Sequence, residues 1–85
     1  MEISAQLQLY PLAEEDYGAV IWQAIDLLRS YEGQGLRVEV GPMSTLIAGD
    51  ADLVWRAVRE LFSFTADGRR IVLVTTMSNV CPKRV

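Results

Sequence analysis

The chain has no histidine and a single cysteine, Cys81. The first absence removes the commonest general base and the commonest metal ligand. The second excludes an internal disulfide and makes a cytoplasmic setting the default. Basic residues are not in excess: 8 Lys and Arg stand against 11 Asp and Glu, a net charge of −3, and they are scattered. That balance argues against a nucleic-acid face and against a basic membrane patch. No apolar run is long enough to make a transmembrane helix, so no membrane insertion is expected. The N-terminus lacks the basic and apolar regions of a signal peptide.

What is present is apolar. Hydrophobic residues make up 51% of the 85 residues. A chain of this size is expected to form one domain over residues 1–85, with 80–85 as a short tail. A small domain buries a modest share of its surface, so this much apolar material favours oligomerisation.

The pattern along the chain gives the elements. Ile3 to Tyr10 alternates, with Ile3, Ala5, Leu7 and Leu9 on one side and Ser4, Gln6, Gln8 and Tyr10 on the other, as in a strand with one core face. Pro11 is expected to end it. The acids Glu14, Glu15 and Asp16 precede a helix predicted over about Glu15 to Glu32, its apolar face carrying Tyr17, Val20, Ile21, Ala24, Leu28 and Tyr31. Gly33 and Gly35 are the expected stop. Leu36 to Val40 reads as a short strand, Gly41-Pro42 as a turn, and Met43 to Ala48 as the next strand, closed by a Gly49-Asp50 turn. Asp50 is a plausible N-cap for a second helix with Val54, Ala57, Val58, Leu61 and Phe62 as its stripe. After Asp67-Gly68, the β-branched run of Arg70 to Ser78 has the character of a buried strand.

The order β-α-β-β-α-β with right-handed crossovers predicts an α+β, ferredoxin-like sandwich. Its four-stranded antiparallel sheet has the order 4-1-3-2, with both helices on one face. The other face is expected to carry Gln6, Gln8 and Tyr10, polar but uncharged, and to be a subunit interface.

Three stretches stand out together: Leu9-Tyr10-Pro11-Leu12, Val40-Gly41-Pro42-Met43-Ser44-Thr45-Leu46-Ile47-Ala48-Gly49-Asp50, and Ser78-Asn79-Val80-Cys81-Pro82. Their residues and separations, spanning nearly the whole chain, resemble the thiamine and hydroxymethylpyrimidine binding proteins related to YkoF. Wider thiamine-binding relatives keep Gly where Ser44 stands. The resemblance implies a ferredoxin-like domain that binds the pyrimidine half of thiamine as a ligand, without chemistry, cofactor or metal. It also implies assembly as a homodimer or homotetramer through the open sheet faces. In the family the last motif continues with glycine and acidic residues, whereas Lys83-Arg84-Val85 follow here.

On this reading the ligand-binding residues are Thr45, Ser44, Met43, Ser78, Asn79, Cys81, Tyr10 and Glu14. A hydroxyl both donates and accepts, which suits the ring nitrogens and exocyclic amine of an aminopyrimidine. Adjacent strand residues face opposite ways, so only one of Ser44 and Thr45 is expected at a given ligand, and Thr45 is favoured. The alternative for both is an ordinary strand residue bonded to backbone. Glu14, with Glu15 and Asp16, either attracts the thiazolium cation or stabilises the helix dipole. Tyr10 and Thr45 are expected at opposite ends of the sheet, with Ser78, Asn79 and Cys81 at the Thr45 end. Cys81 has no nearby base and reads as pocket wall or packing rather than nucleophile. Trp22 and Trp55 sit off their helical stripes, either as packing flanks or as flat surfaces for stacking. Arg69-Arg70 reads as a solvated strand start.

An enzyme is the weakest reading. Acyl-phosphate hydrolases of this fold need an arginine in an N-terminal phosphate loop, and here that region is Tyr10-Pro11-Leu12-Ala13-Glu14. Metal carriers of this fold use Cys-x-x-Cys, which is absent, and RNA binders present aromatics on the central strands, where Met43 to Ala48 has none. A ferredoxin-like oligomerisation or regulatory module with no vitamin ligand is the alternative function.

Overall fold

The structure, a computed structural model, describes residues 1–80. Its elements are β1 (Glu2–Leu12), α1 (Tyr17–Arg29), a single 3-10 turn (Glu32–Gln34), β2 (Arg37–Val40), β3 (Thr45–Asp50), α2 (Ala51–Ala66) and β4 (Arg70–Ser78). The strands form one antiparallel sheet in the order β2-β3-β1-β4, the ferredoxin-like arrangement expected. No helix among the described residues is long and apolar enough to cross a membrane.

Alternation places Ile3, Ala5 and Leu7 of β1 and Ile47 of β3 under the helices. Ala24 and Leu28 of α1 and Val54, Ala57 and Leu61 of α2 close over them. Ile47, Val54 and Ala57 are wholly buried. Each helix starts on an aspartate. The Asp16 carboxylate accepts from the Ala19 N–H at 3.1 Å, and the Asp50 carboxylate from the Asp52 N–H at 3.2 Å, each satisfying a donor the first turn leaves free.

Several boundaries differ from the sequence expectation. β1 continues through Pro11 to Leu12. Beyond Leu7 only β4 flanks it, so a residue without an N–H can continue the strand when it faces the unpaired side. α1 is shorter at both ends than Glu15 to Glu32, with Gly35 at φ 104° closing the 3-10 turn. Tyr17 is exposed and Ile25 is buried in its stead; on α2, Phe62 is exposed while Leu53 and Thr65 are buried. The Thr65 hydroxyl donates to the Leu61 carbonyl at 2.8 Å, which lets a polar residue sit in the core. β3 begins at Thr45, not Met43, and passes straight into α2 with no Gly49-Asp50 turn.

The open face is not simply polar and uncharged. Beside Gln6, Gln8 and Tyr10 it presents Leu46 of β3 and Val72 and Val74 of β4. Arg37 of β2 pairs with Glu2 of β1 across its margin. β4 is therefore covered on one side only: Ile71, Leu73, Thr75 and Met77 are partly buried, while Val72, Val74 and Thr76 are exposed.

Candidate functional site

The loop between β2 and β3 is the centre of the candidate site. Val40 pairs with Thr45, leaving Gly41, Pro42, Met43 and Ser44 as the connection. The Gly41 N–H donates to the Ser44 carbonyl at 2.9 Å. A Cβ at Gly41 would stand 3.1 Å from that carbonyl oxygen, so glycine keeps the turn tight. Proline then fixes one backbone angle of the loop.

This hairpin is shorter than its neighbour. β3 pairs with β1 from Glu2 only to Leu7, whereas β4 follows β1 as far as Leu12. Where β3 stops, a cleft of about 250 Å³ opens between the loop, Leu7 and Leu9 of β1, and Ile21, Trp22 and Ile25 of α1. Thr45 is opposite Leu7 and so faces the same, helix-covered side. Its hydroxyl makes no side-chain hydrogen bond among the described residues, whereas Ser44 Oγ accepts from Gln6 Nε2 at 3.0 Å. Trp22 is 59% exposed and Met43 84% exposed at the loop tip. Among the described residues, none lining the cleft has a titratable side chain. The walls formed by the described residues offer an aromatic plane, aliphatic sides and a few neutral hydrogen-bonding groups.

The structure brings Met43, Ser44 and Thr45 together and separates the other expected site residues from them. The expectation that Tyr10 and Thr45 lie at opposite ends is overturned by the register. β1 and β3 are antiparallel, so the start of β3 lies towards the end of β1. Tyr10 nonetheless stands opposite Val72 on the open face, away from the cleft's lining. Ser78 is opposite Ser4, at the other end of the sheet from the loop, which also overturns its expected grouping with Thr45. Its hydroxyl accepts from the Val80 N–H at 3.0 Å, holding Asn79 in a local turn. Cys81 lies outside the described residues. Glu14 pairs with Arg69 at 3.8 Å. Arg69 is therefore not the solvated residue expected, and its guanidinium also donates to the Thr65 carbonyl at 3.4 Å.

Among the cleft-lining residues not expected at the site, Leu7 and Ile21 are marked by their periodicity only as core, and Ile25 falls outside the predicted α1 stripe. Trp22 carried a signal in its position off the stripe. Two larger hollows are more open to solvent. One of about 530 Å³ runs beside α2 and β4, lined by Trp55, Val58, Arg59, Phe62, Ser63 and Leu73. One of about 410 Å³ lies along β2 and β3 at Arg37, Glu39 and Leu46.

The fold and sequence have known counterparts. A structure from Thermotoga maritima, provisionally assigned to thiamine biosynthesis or salvage, is 26% identical, covering 94% of this chain and 85% of its own, at a TM-score of 0.78. A protein from Streptococcus pneumoniae is 27% identical over 96% of this chain and 89% of its own, at a TM-score of 0.83. A hypothetical protein from Methanocaldococcus jannascii shares the fold, with a TM-score of 0.82 at 24% identity, covering 98% of this chain and 84% of its own. No curated protein matches the chain. The model of the YKOF-related family matches residues 2–84; the chain belongs to that family.

Proposed function

We propose that this domain binds thiamine or its hydroxymethylpyrimidine moiety, without catalysis, in the cleft beneath the Gly41–Ser44 loop. The observation that carries this reading is the uncharged cleft with Trp22 on one wall and the Thr45 hydroxyl on another. A neutral heteroaromatic ring stacks on an indole and takes a hydrogen bond from a hydroxyl. The volume is below the roughly 300–1,000 Å³ of pockets for drug-sized ligands, which suits a single pyrimidine ring. Family membership and the thiamine assignment of the Thermotoga relative support the same ligand class. The function is buffering, delivering or sensing the ligand in the cytoplasm.

None of the described residues lining the cleft is anionic, so the pyrimidine half is the part recognised, and the thiazolium projects past Met43 towards solvent. Glu14, already engaged by Arg69, is not required. Titration with thiamine and with hydroxymethylpyrimidine, followed by tryptophan fluorescence and melting temperature, tests this. Saturable stabilisation by both compounds is the expected result. No response to either removes the vitamin reading.

The exposed Tyr10, Leu46, Val72 and Val74 favour a second property, assembly as a homodimer or homotetramer through the open sheet face. Without a ligand response, the domain is an oligomerisation or regulatory module.

A further inference from the structure

β1 has unpaired backbone where β3 stops. In an antiparallel sheet, successive residues turn their N–H and C=O groups to alternate neighbours. The bond from the Gly41 N–H to the Ser44 carbonyl spans the β2–β3 hairpin. One residue further in, Val40 and Thr45 therefore turn these groups away from each other, and those of Thr45 meet Leu7 of β1. Along β1 the alternation then directs Leu7 to β3, Gln8 to β4 and Leu9 to the β3 side again. The start of the strand agrees. Met1, on the same alternation as Leu7 and Leu9, accepts from the Ala51 N–H at 2.9 Å, just past the end of β3.

β3 begins only at Thr45, so no strand stands beside Leu9 on that side. The residue that register would bring there is Met43, but the loop carries it out to the tip, 84% exposed. On its other flank Leu9 lies opposite Leu73, with its backbone groups pointing away. The Leu9 N–H and C=O thus have no backbone partner among the described residues. Leu9 is partly buried and lines the ligand cleft. Pro11 faces the same unpaired side, which is why a residue without an N–H fits there. Backbone groups left unpaired away from water cost free energy that a complementary ligand recovers.

We propose that the Leu9 main chain reads the hydrogen-bonding edge of the ligand. A residue of an extended strand offers its N–H and C=O side by side, as it would to a residue of a partner strand. A ring nitrogen next to an amine-bearing carbon presents the complementary pair, an acceptor beside a donor. The ring nitrogen accepts from the Leu9 N–H and the amine donates to the Leu9 carbonyl, so the ligand takes the place of the missing β3 residue. Trp22 gives the ring a face to stack on. The ligand class is therefore nitrogen heteroaromatics that carry an amine beside a ring nitrogen. A ring of the same shape without the amine is disfavoured. This inference rests on the reading of the cleft as a pyrimidine site and adds the group that selects the pyrimidine.

The test is amide hydrogen exchange by NMR, residue by residue, in the free chain and with saturating hydroxymethylpyrimidine. In the free chain the Leu9 amide is expected to exchange fast, while Gln8 and Tyr10, bonded to β4, exchange slowly. Hydroxymethylpyrimidine is expected to slow Leu9 selectively. The analogue with hydrogen in place of the amine is expected to bind roughly fivefold more weakly or worse, the effect of one neutral hydrogen bond. Leu9→Pro removes the donor and is expected to lose affinity, whereas Leu9→Val keeps the N–H and the affinity. Circular dichroism checks that both fold, and the exchange and analogue measurements decide the matter without them. A slow Leu9 amide in the free chain overturns the proposal. So does stabilisation by hydroxymethylpyrimidine that leaves Leu9 exchange unchanged and the amine dispensable; the cleft then remains a pyrimidine site read by other groups. A melting temperature unmoved by thiamine and by hydroxymethylpyrimidine removes the ligand reading itself, and this proposal with it.

Discussion

Thr45 stands opposite Leu7 and faces the helices, while Ser44, one position earlier, turns its hydroxyl to the Gln6 amide at 3.0 Å. Two adjacent hydroxyls therefore have separate duties. Ser44 ties the loop to the open side of β1, and Thr45 remains available to the cleft. Thr45→Val should keep the fold and melting temperature close to wild type but weaken the pyrimidine ligand. A neutral hydrogen bond contributes about 1 kcal/mol net, or roughly a fivefold rise in Kd, read by calorimetry. Ser44→Ala should affect the ligand less than Thr45→Val does.

Trp22 is 59% exposed on α1, so it contributes little to the core and its loss should barely change stability. Its plane forms one wall of the cleft. Trp22→Ala should abolish any ligand-induced fluorescence change and weaken binding more than Trp22→Phe, which keeps a smaller aromatic surface. Equal affinity in the two variants would remove stacking from the binding account.

Ile47 is wholly buried in β3 under both helices. Truncation of such a residue to alanine costs about 2–5 kcal/mol. Domains have roughly 0.05–0.15 kcal/mol of stability per residue, so Ile47→Ala removes a large share of the total in a chain this short. Denaturant unfolding should show a sharply lowered midpoint, and ligand should recover part of it.

Asp50 caps α2 through the Asp52 N–H. Its other contact, the terminal amine of Met1 at 3.9 Å, is exposed and adds little. Asp50→Ala should cost about 1 kcal/mol and lower Tm by roughly 4–8 °C for a domain of this size. Asp50→Asn should recover most of the loss, since the amide oxygen also accepts.

The fold was legible because the apolar periods are clean. Ile3, Ala5 and Leu7 alternate, and Val20, Ala24 and Leu28 recur at helical spacing, so element types and topology followed. The boundaries at Pro11 and Met43 were not legible. Both depend on how far the neighbouring strand reaches, which is a property of pairing and not of local sequence. Within the candidate site, the Met43-Ser44-Thr45 cluster was visible as a motif. Its separation from Ser78 and its closeness to Leu9 required the register. Exposure of Phe62 was hidden for a different reason: its spacing fits the α2 stripe, and only the limited width of the sheet leaves it uncovered.

The short β2–β3 hairpin has a consequence for how such domains diversify. The cleft owes its existence to missing sheet, a step left where one hairpin ends before the strand beside it. No insertion or specialised loop is needed to carve it. Lengthening the hairpin by one residue pair would extend β3 along β1 towards Leu9 and close the cavity, while shortening it would widen the mouth. Cavity size in this architecture is thus set by a ruler two strands long, adjustable without disturbing the core that Ile47 anchors.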